Sequence, residues 1–242
     1  MKKPVVKNIF LMETGMRKMN KQRFFAPFVG DKYQEGINGK KILVVGASFY
    51  CNRTQCKFFL QCTNTENKDS SPFDVKCPEY AKAQKQLHNE PAYCIGDAPR
   101  TYKTFASYIS KLIGDDSYEH AWSYLAFTNY VQFFLPSKGE SFRETRMTDL
   151  SERDFHAFNE TLVELQPDIV IIWGCVINTR LREQNEYLVD KEELERTEWY
   201  VCHIKVPGVN HEIALINPYH PSSNAWYSNI GIFDKYLSKE LV

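Results

Sequence analysis

Residues 42–46, Ile-Leu-Val-Val-Gly, form an apolar run with no polar residue inside it, flanked by Lys41 and by Ala47-Ser48-Phe49-Tyr50-Cys51. A strand with one wet face alternates apolar and polar residues; a strand covered on both faces does not. The run therefore predicts a buried parallel strand of an α/β domain. Gly46 at its end permits a sharp turn or a close approach of another group. In open α/β sheets ligands bind outside the carboxyl ends of the strands, so the loop from Gly46 to Tyr50 is where a site is sought first.

Further along, Pro167-Asp-Ile-Val-Ile-Ile-Trp-Gly174 repeats the pattern of an apolar strand ending in glycine, and residues 176–188 suit the helix after it. Tyr102, Phe105, Ile109 and Leu112 share one face of a helix stopped by Gly114. Ser151-Glu-Arg-Asp154 reads as a capping box opening an amphipathic helix through Phe155, Phe158, Leu162 and Leu165. Residues 122–135 read as one long buried strand, and 200–206 and 212–216 as two more. The closing helix carries Ile230, Phe233, Tyr236 and Leu237 on its apolar face, with Ser222 or Ser223 as its cap. Strands alternating with helices predict a three-layer α/β/α sandwich with a mainly parallel central sheet.

At 242 residues the chain is long enough for one domain with a substantial core. Residues 1–40 read as a basic leader packed on or flanking that domain: residues 1–41 hold ten Lys or Arg against three acids, +7 in a chain whose net charge is zero. Any attraction to a polyanion must therefore be local. No apolar run approaches the ~20 residues that a membrane span requires, and seven cysteines without a secretory signal suit reduced thiols. A monomeric cytoplasmic protein with no membrane association is expected.

Residues 51–99 look like a cysteine-containing insertion. Four of Cys51, Cys56, Cys62, Cys77 and Cys94 could hold zinc or an iron–sulfur cluster. Their spacings of four, five, fourteen and sixteen intervening residues match no strong metal signature, and free thiols without a cofactor are the favoured reading. Two polar interruptions stand out elsewhere. Asn129 breaks an aromatic run, and a buried amide either ties down backbone or reads the edge of a ligand such as a nucleobase. His220 lies between Pro218 and Pro221, which hold it rigidly between a strand and a helix.

Three segments in this order, Gly46-Ala-Ser-Phe-Tyr50, Phe127-Thr-Asn129-Tyr-Val and His220-Pro-Ser222, resemble motifs of the uracil-DNA glycosylase superfamily. The resemblance spans about residues 41–241. It implies the glycosylase-like α/β/α fold, DNA or single-stranded nucleic acid as partner, and excision of a damaged or deaminated base flipped from the stack. By the resemblance His220 donates to the base oxygen that gains charge, and Asn129 reads the base edge. Gly46, Ala47, Phe49 and Tyr50 shape the pocket, and Pro221, Ser222, Ser223 and Asn224 grip the nucleic-acid backbone. A stacking aromatic is also implied, with Tyr93 a candidate.

The sequence departs from the family at two of these motifs, and the cysteines of the iron–sulfur branch, placed differently about the first motif, are not carried over. Ala47 and Ser48 stand where relatives carry a catalytic acid or amide, leaving Ser48 to position a water. Asn224 and Ala225 replace an inserted leucine. A catalytically inactive relative that binds a nucleobase, a nucleotide or a single strand is the alternative, and an acid reaching in from Glu35 or Asp97 would favour the enzyme.

Overall fold

The computed structural model describes residues 23, 25–51, 100–115, 117–132, 134–136, 145–183, 187, 189 and 201–242. Fourteen elements follow in order: β1 (Phe28–Val29), β2 (Ile42–Gly46), β3 (Phe49–Cys51), α1 (Arg100–Ile113), α2 (Tyr118–Ser123), β4 (Leu125–Asn129), β5 (Phe134–Pro136), a 3-10 turn (Met147–Asp149), α3 (Glu152–Leu165), β6 (Ile169–Ile172), α4 (Cys175–Glu183), β7 (Val201–Ile204), β8 (Ile213–Ile216) and α5 (Asn224–Glu240).

Six strands form a mixed sheet in the order β1-β4-β2-β6-β8-β7. The four inner strands run parallel, and the two edge strands are antiparallel to their neighbours. Every residue of β2, β4, β6 and β8 is buried, as their unbroken apolar sequences require. Alternate residues enter two cores. Ile42, Val44, Phe127, Ile171 and Ile216 face α1, α2 and α5, where Phe105 packs within 5.1–6.1 Å of Trp122, Trp173 and Trp226. Leu43, Val45, Val170, Ile172 and Leu215 face α3 and α4 through Phe155, Phe158, Leu162 and Ile177. Helices thus cover both faces of the sheet.

One sequence expectation is corrected. Residues 122–135 are not one strand: Trp122 belongs to α2, whose N-cap Ser117 accepts a hydrogen bond from the His120 amide. Its aromatic bulk packs under the sheet rather than within it, and apolar character alone does not separate the two placements. Residues 28–29, assigned to the leader, add an antiparallel edge to β4, with Phe28 opposite Phe127. The loop after them is held at the amino end of the sheet, where the Lys32 ammonium lies 2.8 Å from His120 Nε2 and the other ring nitrogen of His120 meets Asp115. That imidazole contact, with a Ser117 backbone N–H, holds the Asp115 carboxyl below its ordinary range.

Other boundaries agree with the sequence to within a few residues. α1 stops before Gly114, which takes a left-handed φ of 67°. α3 opens on the expected capping box between Ser151 and Asp154, and Ser223 rather than Ser222 caps α5. Among the described residues no helix is long and apolar enough to cross a membrane.

Candidate functional site

The inner strands end side by side, and the loops leaving them meet. Gly46 is paired with Asn129 in the register of β2 and β4. The Trp173 amide, one residue beyond β6, donates to Val45 O at 2.9 Å, and its ring meets the His220 imidazole edge-on at 6.1 Å. Asn129, Gly46, Trp173 and His220 therefore follow one another across the carboxyl edge of the sheet. α3, α4 and α5 begin at this same edge, directing positive dipole ends toward it.

β2 and β4 do not simply stop. Beyond Gly46 the pairing continues through Tyr130 N to Gly46 O at 2.9 Å and Val131 N to Ala47 O at 3.0 Å, and resumes as the parallel pair β3 and β5, Phe49 opposite Phe134. Two residues separate these pairings on one strand and four on the other, an offset of the bulge kind that re-aims side chains beside binding sites.

Asn129 lies at its start, 4% exposed, and among the described residues its amide has no hydrogen-bond partner. Gly46 leaves room for it: a Cβ there would collide with Asn129 Oδ1 and come within 3.0 Å of Phe127 Cζ. Close approach, not backbone freedom, explains this glycine.

The His220 turn is equally constrained. Asn217 Oδ1 accepts from the Tyr219 amide at 2.9 Å, and Tyr219 takes a left-handed φ of 66°, a strained conformation for a large side chain. The Ser222 amide donates to His220 Nδ1 at 3.3 Å, with Ser222 Oγ 2.7 Å away. An Nδ1 that accepts this N–H suits the neutral tautomer with its proton on Nε2, in which the Ser222 hydroxyl donates to Nδ1 as well. Burial depresses the imidazole's pKa, favouring that neutral form. His220 is thereby a neutral donor, aimed by its turn. Ser223 is spent on structure: its hydroxyl donates to His220 O at 2.7 Å and accepts from Trp226 N at 3.2 Å.

Of the other expected site residues, Ala47 packs against the α3/α4 core, and Ser48 is half-buried with Oγ 3.0 Å from Thr145 Oγ1. The backbone of Phe49 and Tyr50 forms β3. Pro221 is buried, while Ser222 and Asn224 are exposed at the mouth of the α5 turn. Glu35 sits in the loop at the amino end of the sheet, away from these residues: its amide bonds Lys32 O, and the Lys32 amide bonds Ser123 O. Asp97, Tyr93, Cys56, Cys62, Cys77 and Cys94 lie outside the described residues, as does the Cys51 side chain. Among the described residues no cluster of three metal-ligating side chains occurs.

Four contributors escape a reading of the sequence. Trp173 and Asn217 sit at strand ends, and that position is the only sequence signal they carry. Gln132 is a second amide in the aromatic run that Asn129 interrupts. Thr145, the partner of Ser48, follows a polar loop and carries no signal at all.

Asp154 supports the bulge from below. Its carboxylate accepts from the Gln132 amide at 2.7 Å and from the Ser151 amide and hydroxyl at 2.9 and 2.8 Å. These bonds favour the anion, but burial outweighs them and pushes the carboxyl up to about 6. Between its unfolded value near 4 and about 6, the folded chain binds the proton more tightly than the unfolded chain. Stability is therefore highest below pH 4 for this group and falls as pH rises through 6, by about 3 kcal/mol in all. Urea unfolding from pH 4 to 7 is expected to show this loss in the native protein relative to Asp154→Asn, which lacks the titration. The opposite slope would mean that the three hydrogen bonds outweigh burial.

Scanned against models of known protein families the chain matches none, and a search of curated proteins likewise returns no match.

Proposed function

We propose that the protein is a uracil-DNA-glycosylase-like hydrolase that cleaves the N-glycosidic bond of a damaged or deaminated base in DNA. The observation that carries this reading is the placing of two polar groups at one edge of the sheet: the His220 ring, whose Nδ1 faces the Ser222 amide, and the Asn129 amide, buried against Gly46 and without a hydrogen-bond partner among the described residues.

The chemistry asks for both. As the glycosidic bond stretches, negative charge gathers on the departing base, and a preorganised donor facing its oxygen stabilises that charge. A neutral imidazole suits this role, because it keeps its N–H without bringing a cation into the pocket. The base edge presents donors and acceptors together, which a carboxamide can match. The helix N-termini at the same edge favour phosphate nearby, and the exposed hydroxyl of Ser222 extends that polar rim. The glycosylase-like fold and its mainly parallel sheet are part of this proposal.

Water activation is the weak step. Neither Ala47 nor Ser48 can act as a general base, and the Ser48 hydroxyl, bonded to Thr145, can only orient a water. That favours a second reading, a member that holds a flipped base without releasing it. Ser48→Asp separates the pocket from the catalyst. A carboxylate there retains Thr145 as a donor and is expected to raise uracil release by on the order of tenfold or more. No gain, with the variant folded, counts against the glycosylase geometry.

A further inference from the structure

We infer that Gln132 is the positioning residue for Asn129: it sets the direction of the base-reading amide without touching the base. The inference rests on the proposed base-reading role of Asn129.

The peptide plane joining Asn129 to Tyr130 is held from two sides. Its N–H donates to Gly46 O at 2.9 Å, and its carbonyl, Asn129 O, accepts from Gln132 Nε2 at 2.9 Å. With that plane held on both edges, the direction of the Asn129 Cα–Cβ bond relative to it is set by the torsion about the Asn129 Cα–C bond alone, and a released carbonyl frees that torsion. The β2 side of the clamp is ordinary strand pairing. The Gln132 side is not: it is a side chain reaching back three residues across the bulge.

Gln132 is itself fixed at both ends. Its Oε1 accepts the Phe25 amide at 3.0 Å and its backbone N–H donates to Asp154 Oδ1 at 2.7 Å. The amide orientation is dictated by chemistry, since the opposite assignment would set two donors against each other at Phe25 and two acceptors at Asn129. At 2% exposure the side chain is closed off from any ligand, so its influence must pass through Asn129. An Asn can turn its amide to match either uracil or cytosine, whose edges are opposite in donors and acceptors. Discrimination therefore depends on how firmly the residue is held.

The test is binding to single-stranded oligonucleotides identical but for one uracil or one cytosine, read by fluorescence anisotropy well below each variant's unfolding midpoint. Gln132→Leu is expected to reduce the uracil-over-cytosine affinity ratio by tenfold or more. A lowered midpoint with an unchanged ratio would make Gln132 merely structural and overturn the inference.

Gln132→Glu keeps the acceptor for Phe25 and tests the donor separately. With the carboxyl protonated it donates to Asn129 O and the ratio returns; as pH rises and the proton leaves, the ratio falls. A ratio that ignores pH in this variant also overturns the inference. Native protein with no uracil preference, or Asn129→Ala with the native ratio, would instead defeat the base-reading role itself, whatever Gln132 does.

Discussion

Replacing His220 by alanine is expected to lower the rate of base release by about 10²–10³-fold, the effect of removing one preorganised donor from a site of developing negative charge. The fold should survive the change. His220 is half-buried in a turn whose shape is also set by the Asn217–Tyr219 contact and the Ser223 cap, neither of which uses the imidazole.

Two further features distinguish this from general damage. His220→Gln, which keeps a donor, should retain more activity than the alanine variant. Because burial holds the imidazole below the usual histidine range, release should show no inflection at that usual value. Oligonucleotide release assays across pH, alongside thermal unfolding, check all three. Release by His220→Ala at the native rate would remove His220 from the chemistry.

Gly46→Ala is expected to weaken binding of a uracil-containing strand by at least tenfold, equivalent to about 1.4 kcal/mol. The added Cβ meets Asn129 Oδ1 on one side and the Phe127 ring on the other. Phe127 has nowhere to go, fully buried and edge-on to Tyr102 and Trp122 at 5.4 and 5.9 Å. The Asn129 amide must move instead, and it is the group assigned to the base. Overpacking adds a stability cost of about 1–3 kcal/mol. Anisotropy titrations paired with urea unfolding separate the two effects. A variant that loses stability but binds as before would show that Asn129 does not read the ligand.

Much of the architecture was legible because the inner strands are buried on both faces. Ile42 to Val45 and Ile169 to Ile172 have no other way to be apolar throughout, and each stops at or near a glycine where the chain leaves the sheet. Helix ends were legible where local chemistry fixes them, as in the Ser151–Asp154 capping box.

What escaped depends on contacts between distant residues. Trp122 reads as strand because bulk and apolarity say nothing about period over so short a stretch, yet it closes a helix against Phe105 and Trp173. Phe28 and Val29 reach the sheet only because β4 leaves an open edge, which nothing in the leader reveals.

The site divides in the same way. Asn129 and His220 stand out because each is a polar residue in a setting that makes polarity expensive or rigid. The Gly46 to Asn129 approach, the bulge and its Gln132 clamp arise from the register of two strands with 78 residues between them. No local pattern encodes that register.

The central claim, a pocket that excises a base from DNA, is tested most directly by one reaction. Native protein is incubated with single- and double-stranded oligonucleotides carrying one uracil, and free base and retained oligonucleotide are measured together. Free uracil accumulating beyond the protein concentration, from uracil-containing strands and not from thymine controls, is the predicted result. Strands retained in a salt-sensitive way with no base released would contradict it and make the protein a reader of nucleic acid rather than an enzyme.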